Sequence, residues 1–196
     1  MRPIFSLGLG AAVLASTLSL AAQSSTTASR AKPATAANGN QTAAEKAANP
    51  DARFVMGVAA SGMAEIELGQ LAADKASDAN VKEFGHRMMA DHTKMGDELK
   101  PLAAAKNIML PTSLSARDRA TKDRLSKLSG ASFDRAYMAE MVKGHLAESM
   151  DFRKEATSGH DPQLKEWATK QVTTVDDHLK AAREIQKELG SAKTTQ

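Results

Sequence analysis

The sequence predicts an all-α fold, with four long helices forming two antiparallel hairpins and a short extra helix in the crossover between them. Two observations carry this. From residue 51 to residue 190 apolar side chains recur at the helical period, and no stretch shows the alternation of a strand. The breaks between periodic stretches then run tight, long, tight along the chain. Composition agrees, since aromatics are 4% of the 196 residues while helix formers such as Ala, Leu, Met, Lys and Glu are plentiful.

Residues 1–22 read as an export signal. Arg2 gives a weak positive start, Ile4 to Leu20 is apolar and uncharged, and Ser19 to Ala22 offers small residues for cleavage. The apolar run is short for a membrane-spanning helix. Residues 23–50, rich in Ala, Ser, Thr, Asn and Gln, read as a disordered linker.

The bundle then occupies residues 51–190. The first helix is expected over 51–76, with Phe54, Val58, Gly62, Glu65, Leu68 and Ala72 along one stripe, and Ser77-Asp78 breaks it. The second is expected over 79–106, with Val81, Phe84, Met88, His92, Met95, Leu99 and Leu102 inward and Pro101 kinking its end. After a connector containing Pro111, residues 114–128 form a short charged helix stopped by Ser129-Gly130.

Ser132 is expected to cap the third long helix, whose stripe is Tyr137 or Met138, Met141 or Val142, His145, Ser149 and Phe152. Residues 158–162 are a turn, with Pro162 opening the fourth helix. That helix carries Leu164, Trp167, Gln171, Val175, His178, Ala182, Ile185 and Leu189 until Gly190, and residues 191–196 read as a disordered tail. Two hairpins joined by one long crossover is the ferritin-like arrangement, whereas up-down-up-down bundles need only short loops.

The formal charge is +3, about +2 without the signal, so the basic pI reflects a slight imbalance of many opposed charges. No basic block with interleaved aromatics occurs, which argues against nucleic-acid binding. Cysteine is absent, excluding disulfides, thiolate chemistry and lipid attachment at a cysteine.

Glu65, His92, His145 and His178 each stand where an apolar residue is expected, one per long helix. Buried polar groups are costly unless they are hydrogen-bonded or bound to something. Residues of a hairpin lie level when their midpoint falls in the turn. For Glu65 and His92 the midpoint is at 78–79, and for His145 and His178 it is at 161–162, so both pairs pass.

Three imidazoles and one carboxylate suit a single divalent transition-metal ion, with Zn, Cu, Fe and Mn all admissible. The competing reading is a structural layer of histidines hydrogen-bonded to Glu65, to hydroxyls such as Ser149, or to water. Around the four, Glu148 could add a second carboxylate, Glu67 could support the ligands or stand exposed, and Tyr137, two turns from His145, could support them or serve as a core hydroxyl. Asp91 and Asp177 could each orient a neighbour's ring. Glu83 and His86 have metal-motif spacing, but His86 points well over a right angle away from His92, so this pair reads as a decoy on the solvated face. His160 reads as solvent-facing, and the core methionines as filler.

The runs from Gly62 to Gly69, from Met88 to His92, from Phe133 through Tyr137 to His145, and from Asp177 to Leu179 resemble the exported bacterial domain-of-unknown-function family numbered 4142, often labelled an outer membrane protein. The resemblance covers residues 54–189. It implies a ferritin-like bundle in the periplasm, with association with the outer membrane as a further expectation, with Glu65, His92, His145 and His178 at motif positions and no established activity. Di-iron bundles use four carboxylates with two histidines, so this histidine-rich set implies one ion. The functions expected are envelope metal handling or stress protection, with a non-catalytic structural module as the alternative. A homodimer through the crossover helix and peripheral attachment to the envelope are further expected partnerships.

Overall fold

The computed structural model describes residues 49–191. The export signal at 1–22, the linker up to residue 48 and the tail at 192–196 lie outside the described residues. Asn49 and Pro50, expected in the linker, instead start the first helix: Asn49 Oδ1 accepts from Asp51 N at 2.9 Å, and proline is tolerated in the first turn.

Five helices follow. α1 spans Pro50–Lys75 and α2 spans Ala79–Ala105, capped by Asp78, which accepts from Asn80 N and Val81 N. α2 continues through Pro101 for one more turn. α3 spans Ala116–Ser126, shorter at both ends than the periodicity suggests, because Ser115 Oγ accepts from Asp118 N and fixes the start. α4 spans Gly130–Ser158 and α5 spans Pro162–Ser191, the latter capped by Asp161, which accepts from Gln163 N and Leu164 N at 3.0 Å.

The expected cap at Ser132 is corrected to Ser129. Gly130 adopts φ +57°, a conformation open to glycine, and this turns the chain into the helix three residues earlier. Ser191 is the last helical residue rather than the first of the tail. No strand occurs among the described residues, and no described helix is long and apolar enough to cross a membrane.

α1 pairs with α2 and α4 with α5, and the hairpins meet through α1 against α4 and α2 against α5. The crossover returns along the bundle, with α3 packed over α1 and α4. Two buried aspartates lash the hairpins together. At one end Asp134 of α4 accepts from Ser77 N at 3.0 Å and Asp78 N at 3.1 Å, and from the Ser77 hydroxyl. At the other end Asp51 of α1 accepts from His160 N at 3.1 Å and Asp161 N at 2.8 Å.

These ties set the register between hairpins. Asp51 lies level with 160–161. Counting 14 residues along α1 reaches Glu65, and 14 back along α4 reaches 146–147, between His145 and Glu148.

The core divides into two apolar clusters. One contains Leu68, Phe84, Met88, Phe133, Tyr137, Met141 and Ala182. The other contains Val55, Met95, Leu99, Phe152, Leu164, Trp167 and Val175. On every long helix the residue that separates the clusters is polar: Glu65, His92, His145 with Glu148, and His178.

Above that layer α1 and α2 touch backbone to backbone. A Cβ on Gly85 would lie 2.8 Å from the Ala72 Cβ and from Gly69 O, while one on Gly57 meets nothing within 4 Å. Gly85→Ala is therefore expected to cost about 1–3 kcal/mol through overpacking. Gly57→Ala should stabilise by about 0.5–1 kcal/mol through helix propensity. Thermal melts of the two variants should shift in opposite directions.

Candidate metal centre

The helical stripes deliver Glu65 from α1, His92 from α2, His145 and Glu148 from α4, and His178 from α5 into one buried layer. The three imidazole centroids lie 5.3–5.8 Å apart. One ligand-capable atom from each of His92, His145 and His178 lies within 4.8 Å of the others. The same holds for Glu65, His92, His145 and Glu148. The two sets overlap at His92 and His145. The sequence singles out Glu65 with three histidines; in the structure His178 groups with the histidines and Glu148 groups with Glu65.

Ring orientation follows from what each outer nitrogen does. His145 Nδ1 lies 2.9 Å from Met141 O, and a carbonyl only accepts, so Nδ1–H donates and Nε2 keeps a free lone pair. His178 Nε2–H donates to Asp91 Oδ2 at 2.8 Å, leaving Nδ1 inward as the free atom. Both are the arrangement in which a second hydrogen bond fixes the tautomer of a metal-binding ring. His92 Nε2 approaches Glu65 Oε2 to 2.8 Å, but without hydrogen-bond alignment, so each atom is close to the other without being aimed at it.

Burial works against the charge on Glu65, yet His92 and then His145 outweigh it and hold the carboxyl at about 2. Burial likewise opposes charge on His92, but the Glu65 carboxylate raises it to about 9. His145 is lowered, chiefly by burial, and His178 is lowered by burial to about 4 despite its bond to Asp91. Burial and then the Glu65 charge push Glu148 up to about 8. At neutral pH the centre therefore holds a Glu65 carboxylate, a His92 imidazolium, two neutral imidazoles and a protonated Glu148.

Glu148 Oε1 accepts from the Ser61 hydroxyl of α1, a partner the sequence reading missed although Ser61 lies one turn before Glu65. Tyr137 is buried, with its ring stacked on Phe133 at 5.6 Å; burial and then Glu65 raise its hydroxyl. Phe84 packs edge-on against Tyr137, His145 and His178 and closes one side.

The other sequence candidates lie outside the layer. Glu67, 200° around α1 from Glu65, pairs with Lys122 of α3 at 2.6 Å. Asp177 is exposed on α5, one step of 100° from His178. Ser149 donates to Asp176 at 2.7 Å rather than to a histidine. Glu83 and His86 are exposed, and the His160 ring is exposed apart from Nδ1, 3.2 Å from Asp51. A cavity of about 490 Å³ between α1 and α4, walled also by Arg117, Asp118 and Thr121 of α3, reaches inward from the surface to Glu65 and Glu148.

No curated protein matches the chain. Among solved structures it is similar to a DUF305 protein from Streptomyces coelicolor that is described as secreted, at 13% identity and TM-score 0.63, over 74% of this chain and 94% of that one. That likeness shows the shared helical fold alone. Residues 36–185 match the domain of unknown function DUF4142, which is most of the chain. The chain therefore belongs to the DUF4142 family.

Proposed function

We propose that the protein binds one divalent transition-metal ion in the buried layer and serves metal handling or stress protection in the cell envelope. One observation carries the reading. Seven buried side-chain polar atoms among the described residues have no hydrogen-bond partner, and five of them belong to the layer: Glu65 Oε2, His92 Nε2, His145 Nε2, Glu148 Oε2 and His178 Nδ1.

An unsatisfied buried polar group costs about 1–3 kcal/mol, so five cost about 5–15 kcal/mol. That equals the whole net stability of an ordinary domain. Setting aside the Glu65–His92 approach, whose attraction offsets part of this, three atoms and about 3–9 kcal/mol remain. An ion held by Glu65, His92, His145 and Glu148, or by His92, His145 and His178, would give each of those side chains a partner.

The donors fit such an ion. Imidazole nitrogens and carboxylate oxygens suit Zn, Cu, Fe or Mn, and Glu65 supplies negative charge. His92 and His145 belong to both ligand sets, joined by His178 in one and by Glu65 and Glu148 in the other. When bound, the ion would supply a Lewis-acidic charge, and the chain's task is to hold the rings in one tautomer and exclude bulk water. Export is supported by the signal-like residues 1–22 and by the secreted description of the DUF305 neighbour.

The proton inventory gives the test. Ligands must be deprotonated to bind. Below pH 8 His92 and Glu148 both hold protons, because each value is raised, to about 9 and about 8. Metal affinity should thus rise with pH between 6 and 8, by about one to two decades per unit. Calorimetric titration with zinc in buffers of different ionisation enthalpy should report release of about one to two protons per ion. Binding without proton release would contradict this ligand set.

A further inference from the structure

We infer that the α1–α4 cavity is the ion's way into the centre, and that Glu148 is its first buried ligand, handing it on through His92 and His145 to His178. This rests on the metal reading above and adds a route and an order to it.

Depth is graded along the line. Glu148 is 8% exposed, Glu65 5%, His92 3%, and His145 and His178 are 0% exposed. Glu148 and Glu65 line the cavity, while none of the three histidines does. Of the two overlapping ligand sets, the one containing both carboxylates therefore faces the cavity, and the three-histidine set lies behind it. An ion passing from the first to the second keeps His92 and His145 throughout and exchanges carboxylate oxygens for the His178 nitrogen. At no point is it stripped of protein ligands in a low-dielectric interior, where a bare charge is most costly.

Glu148 is built for a receiving role. Ser61 holds one of its oxygens, and the other is buried without a hydrogen bond. Gly144 keeps the passage open beside it, since a Cβ there would already stand 3.6 Å from Glu65 Oε1. The α2–α5 side presents paired polar groups instead. There the outer nitrogen of His178 donates to Asp91, and Asp91 Oδ2 also accepts from Arg87 at 3.3 Å.

The test is the rate at which metal-stripped full-length protein takes up cobalt(II), followed by stopped-flow absorption of its d–d bands. Glu148→Gln replaces the receiving carboxyl with an amide that cannot give up a proton to bind the ion, and Gly144→Leu fills the passage from a residue that is not itself a ligand. Both should load at least tenfold more slowly than wild type, and Gly144→Leu should reach the wild-type end point. His86→Ala, on an exposed face, should load at the wild-type rate.

If Gly144→Leu fails to fold by circular dichroism, Gly144→Ala replaces it. Its Cβ makes an ordinary contact, and it should slow loading at least threefold. Wild-type loading rates in either the Glu148 or the Gly144 variant overturn the route while leaving the metal centre standing. Failure of wild-type protein to take up cobalt(II) at all overturns the metal reading itself.

Discussion

Metal-loaded protein should melt about 8–16 °C above the same protein in chelator, and His92→Ala should erase the difference. A ligand at a thousand times its dissociation constant adds about 4.1 kcal/mol to the folded state when it does not bind the unfolded chain. For a domain of this size each kcal/mol moves the midpoint by about 2–4 °C. His92 is the informative position because it belongs to both ligand sets and is the first partner of Glu65. Its loss also leaves a buried carboxylate without its nearest positive charge, so the Glu65 carboxyl should rise from about 2. His86→Ala should keep the full chelator effect, because His86 is exposed on the same helix. A wild-type midpoint unmoved by chelator would contradict the account.

Asp134→Ala should destabilise by about 2–4 kcal/mol, one of the largest effects of any substitution outside the buried polar layer. Hydrogen bonds to a charged acceptor are worth about 1.5–3 kcal/mol each, and this carboxylate accepts from two backbone N–H groups and a hydroxyl. Water reaching the exposed Ser77 would recover part of that, which sets the lower figure. The consequence extends beyond stability. Asp134 and Asp51 set the register of one hairpin against the other, so the Ala variant should also bind zinc more weakly although Asp134 touches none of the ligands. By contrast Glu67→Ala removes a pair that is 42% exposed on both sides, and it should cost less than about 1 kcal/mol. Urea unfolding with an unchanged slope would read the two costs on one scale.

The comparison of Asp134 with Glu65 shows how much of this was legible in the sequence. Glu65, His92, His145 and His178 interrupt apolar stripes, and the midpoint rule levels them within each hairpin without any tertiary information. Register between hairpins is a different matter. It depends on Asp51 and Asp134, which look in sequence like ordinary acids near helix starts. Their partners are turn amides 57 and 109 residues away.

Asp91 and Asp177 make the same point. Each precedes a core histidine by one residue, yet Asp91 faces α5 and meets His178, whereas Asp177 faces solvent. Which side of a helix carries a neighbour is a property of the assembled bundle. Glu148 lies one turn after His145 and so shares its face. Its place in the layer is decided by Ser61 on another helix. The helix start at Ser129 escaped because a serine three residues later looked like the better cap, and only the left-handed Gly130 reverses that choice.

The most direct test of the central claim is the metal content of untagged protein purified from its native host, measured by elemental mass spectrometry. About one equivalent of a single transition metal per chain is the expected result, falling to background in the His92→Ala and His145→Ala variants. Less than about a tenth of an equivalent of any transition metal, both as purified and after reconstitution, would contradict it.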